Sequence, residues 1–288
     1  MAKEVIVCSG AKHIGKNIAK KFGAKFQILT TKKFPDGEIY VKFEEDVRGK
    51  NLIFVQSFFG EISDKIIEVL FAAYNAKDLG AKRIELLSLY PPYFRQDKRF
   101  NSGEAISIQI LGKLFEVFDK VYFVDPHLHR IKEVKEVFKK GERLSSVNVL
   151  TNYIQKLKLK NPVFVGPDIE SDQWAQNVAI ILGKKHVILR KKRLGDRKVQ
   201  VKLDGGIDLK NKELVIIDDI ISTGHTMLKT IKLLKKFKPK KIYCIAVHGL
   251  FLENSLKKLS KYAEILSTNT IPSKVSKIDI SGIAEEIK

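Results

Sequence analysis

Eight apolar runs of strand length alternate with amphipathic segments of helical length along the 288 residues. They are Val5–Cys8, Leu52–Val55, Ile84–Leu87, Val121–Val124, Val163–Val165, Val187–Leu189, Leu214–Ile217 and Ile242–Ile245. A strand that is apolar at nearly every position is buried on both faces. Such strands, many β-branched and separated by helices, build parallel sheets covered on both sides. The chain therefore reads as α/β, and at roughly 150 residues per domain its length gives about two domains.

Between the runs, Ile66, Val69, Leu70, Ala73, Tyr74 and Ala76 recur at helical spacing and stop at Gly80, while Met227, Leu228, Ile231 and Leu234 do the same before Pro239. These helices belong to an internal echo. Leu52–Val55 followed by Gln56-Ser57, a loop, a helix, Lys82-Arg83 and the strand at 84 has the same order as Leu214–Ile217 followed by Asp218-Asp219, a loop, a helix, Lys240-Lys241 and the strand at 242. Strand, loop, helix, strand is common in α/β chains, so duplication and coincidence both fit. If the echo is real, only the second copy keeps a charged strand end. A boundary near 145 divides the chain into domains 1–145 and 146–288, and the last residues could pack back on the first domain.

Composition excludes disorder and membrane spanning: hydrophobic residues make up 44% and charged residues 30%, and no apolar run is long enough to cross a bilayer. Met1 to Cys8 is no signal peptide and only two cysteines are present, so a cytoplasmic protein without disulfides is expected. The 53 Lys and Arg against 33 Asp and Glu give a net charge of +20. That excess points to nucleic acid, an anionic membrane or phosphorylated small molecules, or else to a lysine-rich, heat-adapted surface. Most of it falls on stretches such as Lys20-Lys21, Lys235-Lys236 and Lys257-Lys258, which read as solvated surface, and no specific nucleic acid partner is expected.

The most specific segment runs from Val215 to Thr226. A buried strand delivers Asp218-Asp219 to its carboxyl end, where ligands bind in open α/β sheets, and Ser222-Thr223-Gly224-His225-Thr226 then turns into a helix. Such a turn offers backbone N–H groups, hydroxyls and a helix N-terminus to a phosphate. Two acids beside a phosphate site would repel it if aimed at it, so they belong on neutral hydroxyls or on Mg2+. A sugar phosphate meets both requirements. The plainer reading is a strand end followed by a helix cap.

That segment resembles the phosphoribosyl-diphosphate fingerprint of type I phosphoribosyltransferases. Five further stretches resemble the ribose-phosphate pyrophosphokinase family, whose members carry two such domains in tandem, each a mostly parallel sheet flanked by helices. Phe34-Pro35-Asp36-Gly37-Glu38 is similar to the family's adenine site, although by itself Asp36-Gly37 reads as a hairpin turn. Arg95-Gln96-Asp97-Lys98 is similar to a stretch in which Arg95 and Gln96 would contact ATP; alone it reads as a solvated basic loop. Asp125-Pro126-His127 resembles a stretch whose histidine, here His127, would touch the metal-triphosphate, and Val165-Gly166-Pro167-Asp168 resembles the loop whose aspartate, here Asp168, would supply a second metal contact. Arg190-Lys191-Lys192-Arg193 matches the family's catalytic pair at Lys191 and Arg193, on a mobile loop continuing through Arg197. Arg193, Asp218, Asp219, Ser222, Thr223, Gly224, His225 and Thr226 would hold ribose 5-phosphate.

The resemblance implies Mg2+-dependent transfer of the diphosphoryl group of ATP to ribose 5-phosphate for nucleotide biosynthesis, in a homo-oligomer whose adenine site is shared between subunits. Alternatives are a phosphoribosyltransferase, which leaves Phe34–Glu38 and Arg95-Gln96 unexplained, and a non-catalytic regulatory or nucleic-acid-binding relative. One departure stands out: Ile169-Glu170-Ser171-Asp172 replaces the family's usual Gly-Gly pair and adds negative charge near the diphosphate. Gly10–Asn17 nearly matches a P-loop, but Asn17 cannot supply the hydroxyl that holds Mg2+, and this turn is expected only to start the first helix.

Overall fold

The computed structural model describes residues 3–169, 171–193, 199–203 and 207–287, with backbone alone at 190–193 and 199–203. The chain forms two compact units: residues up to Ser145 together with the segment from Ser281, and Ser146–Ile280. In the first unit the returning segment places Glu285 2.8 Å from the Lys21 ammonium. Among the described residues no helix is long and apolar enough to cross a membrane.

The first unit contains β1 (Lys3–Val7), α1 (Gly15–Phe22), β2 (Phe26–Ile28), β3 (Thr30–Lys33), β4 (Ile39–Lys42), β5 (Asn51–Gln56), α2 (Ile62–Asp78), β6 (Arg83–Ser88), α3 (Ser107–Leu114), β7 (Lys120–Val124) and β8 (Gly141–Leu144). Its six-stranded sheet has the order β2-β1-β5-β6-β7-β8 and is parallel throughout, while β3 and β4 form a separate antiparallel hairpin. The continuous apolar runs are the reason: in β5 every residue after Asn51 is buried, which only a sheet covered on both faces allows. Phe54 packs edge-on against Phe43 and Phe118 beneath α2.

The second unit contains α4 (Val147–Lys156), β9 (Pro162–Gly166), α5 (Asp172–Leu182), β10 (Lys185–Arg193), β11 (Val199–Leu203), β12 (Glu213–Ile221), α6 (His225–Lys235), β13 (Lys241–Gly249), α7 (Ser255–Leu259), β14 (Glu264–Thr268) and β15 (Ser276–Ile278). Its order is β11-β10-β9-β12-β13-β14-β15, parallel except for β10 against β11. With β11 set aside, this is the order of the first sheet. The two segments that echo each other in sequence hold the same place: β5 lies between β1 and β6, and β12 between β9 and β13.

Two expectations are corrected. The acids at 218 and 219 do not follow the strand; they lie within β12, which stays paired with β13 as far as Ile221 opposite Gly249. The basic segment after residue 189 is not a loop at its start. β10 runs on to Arg193, with Lys191 opposite Val201 on β11, so the backbones of Lys191 and Arg193 belong to an antiparallel arm. Their side chains lie outside the described ones, as do residues 194–198 and Glu170.

Candidate active site

In each sheet the chain builds one strand to one side and then crosses to build on the other. In the second unit this change of direction falls between β9 and β12, and the crevice outside their carboxyl ends is where an open α/β sheet binds ligands. The register opens that crevice: β12 pairs with β9 only as far as Ile216 opposite Val165 and from there keeps β13 alone. Asp218 follows two residues later. Loop 167–171, after β9, faces it from the other strand.

Asp218 Oδ1 accepts two hydrogen bonds, from the Ser171 hydroxyl at 2.6 Å and from the Asp219 N–H at 3.0 Å. Asp219 is buried and accepts the Ile220 N–H at 2.7 Å. Desolvation first, then the charge of Asp219, pushes the Asp218 carboxyl well above its ordinary range; the Ser171 bond opposes the shift and the charge of Asp168 adds to it. Two crowded carboxylates are costly within a strand, and such a pair suits a ligand that brings hydroxyls or a cation.

Beyond them the chain turns at Ser222–Gly224. Gly224 has φ +70°, and a Cβ there would lie 2.9 Å from Ser255 Cβ and 3.1 Å from Leu259 Cδ1, so glycine is required both by conformation and by the approach of α7. The Ser222 carbonyl accepts from the Ser255 hydroxyl and the Leu252 N–H, each at 3.0 Å, which fixes the turn. Gly224 caps α6 without a side-chain bond, so the first-turn N–H groups of His225, Thr226 and Met227 are presented to an anion. His225 and Thr226 are exposed, and Thr223 Oγ1 lies 3.3 Å from His225 Nδ1.

The departure at 169–172 acquires a structure. Asp172 is not an open charge: its Oδ1 is 2.5 Å from His186 Nε2 on β10. Gly166 permits this, because a Cβ there would lie 2.1 Å from Asp172 Oδ1. Asp168 Oδ1 accepts the Ser171 N–H at 2.9 Å. Ser171 thus bridges the two acids. Reading the sequence did not single it out, and only its exchange for a usual glycine hinted at it.

The corresponding crevice of the first unit, between β1 and β5, is closed by its own side chains. Gln56 stands where Asp218 stands. Its Oε1 accepts the Gly10 N–H at 2.8 Å and its Nε2 donates to Glu68 Oε2 at 3.2 Å. Glu68 also takes the Ser9 N–H at 2.8 Å, the Ser9 hydroxyl and the Thr31 hydroxyl. Glu68 and the Gln56 amide oxygen thus take the N–H groups of Ser9 and Gly10, and the turn leads into α1 at Gly15.

The other expected contacts lie in the first unit. Phe34, 50% exposed, tips the β3-β4 hairpin with its ring edge-on to Tyr40; Asp36, Gly37 and Glu38 are exposed beside it, and Gly37 at φ +95° makes the turn. After β6, Arg95 is exposed and Gln96 is half-buried. After β7, Asp125 is buried in a left-handed conformation at φ +37° and aims the following segment, with His127 half-buried. The two loops are joined by Arg130, whose guanidinium donates to Asp97 Oδ1 at 2.9 Å. Asp168 and His127 belong to different units, and among the described residues no cluster of three or more His, Cys, Asp or Glu is suited to a metal ion. Cys8 and Cys244 are buried thiols whose pKa burial pushes well up.

Paired acids on a central strand, a Ser/Thr/Gly turn held open by glycine and free N–H groups at the next helix define a phosphoribosyltransferase-like α/β unit, whose strand order the first unit repeats without the acids. Residues 4–118 match the N-terminal domain of ribose phosphate pyrophosphokinase and residues 129–281 match the phosphoribosyl transferase domain. The chain belongs to the ribose-phosphate pyrophosphokinase family. It is 34% identical over 278 residues to the ribose-phosphate pyrophosphokinase of Pyrococcus furiosus, covering 96% of this chain and 97% of that one. Against the ribose-phosphate pyrophosphokinase of Methanothermobacter thermautotrophicus the identity is 31%, covering 98% and 99%. The crystal structure of phosphoribosylpyrophosphate synthetase from Mycobacterium smegmatis superposes with a TM-score of 0.82 at 25% identity, covering 97% of this chain and 93% of that one.

Proposed function

We propose that this chain transfers the β,γ-diphosphoryl group of ATP to the anomeric hydroxyl of ribose 5-phosphate, yielding 5-phosphoribosyl 1-diphosphate and AMP for nucleotide biosynthesis. The observation that carries the reading is the crevice between β9 and β12, where hydroxyl-accepting acids and an anion-accepting turn adjoin in a chain of this family. Ser222, Thr223, Gly224, His225 and Thr226 cradle the 5-phosphate, and Asp218 and Asp219 accept from the ring hydroxyls. Phe34, Asp36, Gly37, Glu38, Arg95 and Gln96 bind ATP. The anomeric oxygen attacks the β-phosphorus, the bond from that phosphorus to the α-phosphate oxygen breaks, and the hydroxyl proton leaves to solvent. Lys191 and Arg193 meet the charge that shifts in this step, and Arg193 also binds the sugar phosphate.

His127 and Asp168 offer one imidazole nitrogen and one carboxylate. That is too few ligands to cage Mg2+ and would suit an ion brought in with the nucleotide, which would neutralise charge on the transferred group. The setting is cytoplasmic, consistent with two unpaired buried thiols. The test is purified protein with ATP, Mg2+ and ribose 5-phosphate. AMP and 5-phosphoribosyl 1-diphosphate are expected in equal amounts; ADP as the sole product, or no turnover, defeats the reading.

The working form is a homo-oligomer in which a neighbouring subunit completes the adenine site. Phe34 has only the edge of Tyr40 against its ring and half its surface open, which suits a residue completed from outside. Ile67, Phe71 and Tyr74 on α2, with Ile110 and Leu114 on α3, leave a large exposed apolar face around a cleft of about 290 Å³. Light scattering after size exclusion is expected to give a multiple of the 32.8 kDa chain mass. Phe71→Glu with Ile110→Glu is expected to reduce it, and a wild-type monomer would exclude the shared site.

A further inference from the structure

Ser171 is 6% exposed, and both its donors are committed to carboxylates. The hydroxyl donates to Asp218 Oδ1 at 2.6 Å and the backbone N–H to Asp168 Oδ1 at 2.9 Å. With the Asp219 N–H at 3.0 Å, Asp218 Oδ1 takes two donors, while Oδ2 takes neither of them. Two donors on one oxygen fix the plane of a carboxylate and leave the other oxygen to a ligand. Among the described side chains of this loop, Asp168 and Asp172 are acceptors when ionised, and Asp172 is committed to His186. The same pairing, across Gly166, anchors the residue next to Ser171.

We propose that Ser171 is a positioning residue for ribose 5-phosphate: it holds Asp218 in the rotamer that presents Oδ2 to the sugar hydroxyls and ties that orientation to the loop carrying Asp168. This rests on the reading of the crevice as a ribose 5-phosphate site. Removing the hydroxyl leaves Asp218 with one donor between two other acids, so its carboxylate spreads over several rotamers and the ordering must come from the binding energy of the sugar. The backbone N–H, and with it the Asp168 contact, survives the substitution.

Ser171→Ala is expected to raise the Kd for ribose 5-phosphate, measured calorimetrically without ATP, and its KM by about tenfold, the scale of one hydrogen bond to a charged group. The kcat at saturating sugar and the KM for ATP are expected to stay within about twofold. Ser171→Gly is expected to behave like alanine, and Ser171→Thr, which restores a hydroxyl, to recover most of the affinity. Thermal unfolding of each variant separates binding from folding. A lowered Tm with unchanged KM, which a merely structural serine would give, overturns the proposal, and so does a threonine variant that folds at the wild-type Tm yet binds as poorly as alanine. If wild type forms AMP and Ser171→Ala matches it in Kd and KM, this proposal alone fails; a wild-type chain that binds no ribose 5-phosphate defeats the functional reading together with it.

Discussion

Lys191→Ala is expected to lower kcat by about three orders of magnitude while the Kd for ribose 5-phosphate stays within about twofold. The reasoning starts from the backbone. β10 pairs with β9 from Lys185 to Ile188, and from Leu189 to Arg193 only with β11, so Lys191 lies on a two-stranded arm at the edge of the sheet, past the point where β9 ends at Gly166. A cation carried there belongs to another element than the turn at 222–226 proposed to bind the sugar phosphate. Its charge counts most when the diphosphoryl group is between oxygens, because negative charge then accumulates on the leaving oxygen. Losing one such contact costs about 4 kcal/mol of transition-state stabilisation, or roughly a thousandfold in rate. Single-turnover formation of AMP, with sugar binding measured separately, checks both halves. Lys191→Arg keeps the charge and is expected to recover much of the rate. An alanine variant that turns over like wild type would remove Lys191 from the chemistry.

All eight apolar runs became strands because burial on both faces leaves a pattern no other element shares. Of the strands that carry no such run, β3 and β4 were marked only by the hairpin turn at Asp36-Gly37, and β2, β8, β11, β14 and β15 were not legible. β2 has only its central residue buried, and β15 is a three-residue edge strand; both are specified by their neighbours rather than by their own residues. The helices were legible at their apolar stripes and less so at their starts: α6 begins at His225, two residues before the first apolar position, because Gly224 makes the turn. Asp218 and Asp219 announced the site by type and place. Ser171 did not, since a serine in a polar loop carries no signal until the loop folds back on the acid, 47 residues away in sequence. Gln56 and Glu68 were silent for the same reason: an amide and a helical glutamate read as surface, yet they close the first crevice.

Asp218→Asn is expected to divide binding from stability in opposite directions. The neutral amide presents one acceptor in place of two charged oxygens, so the Kd for ribose 5-phosphate is expected to rise about a hundredfold, the loss of one or two hydrogen bonds to a charged group. The fold should gain. Asp218 is desolvated and stands against Asp219 and within the field of Asp168, and its pKa is raised above the ordinary value of 3.8. A carboxyl that holds its proton more tightly folded than unfolded makes the native state lose stability as pH climbs from about 3.8 to the raised native value, and the loss persists above it. Asparagine removes that loss, so the variant should melt a few degrees above wild type at neutral pH, with the difference vanishing below about pH 4. A variant that melts lower at neutral pH would make Asp218 a structural residue. A variant without the acceptor tests Ser171 as well: if that serine acts through the orientation of Asp218, adding Ser171→Ala to Asp218→Ala should change the Kd by less than about twofold, because in a double-mutant cycle the two substitutions remove one interaction.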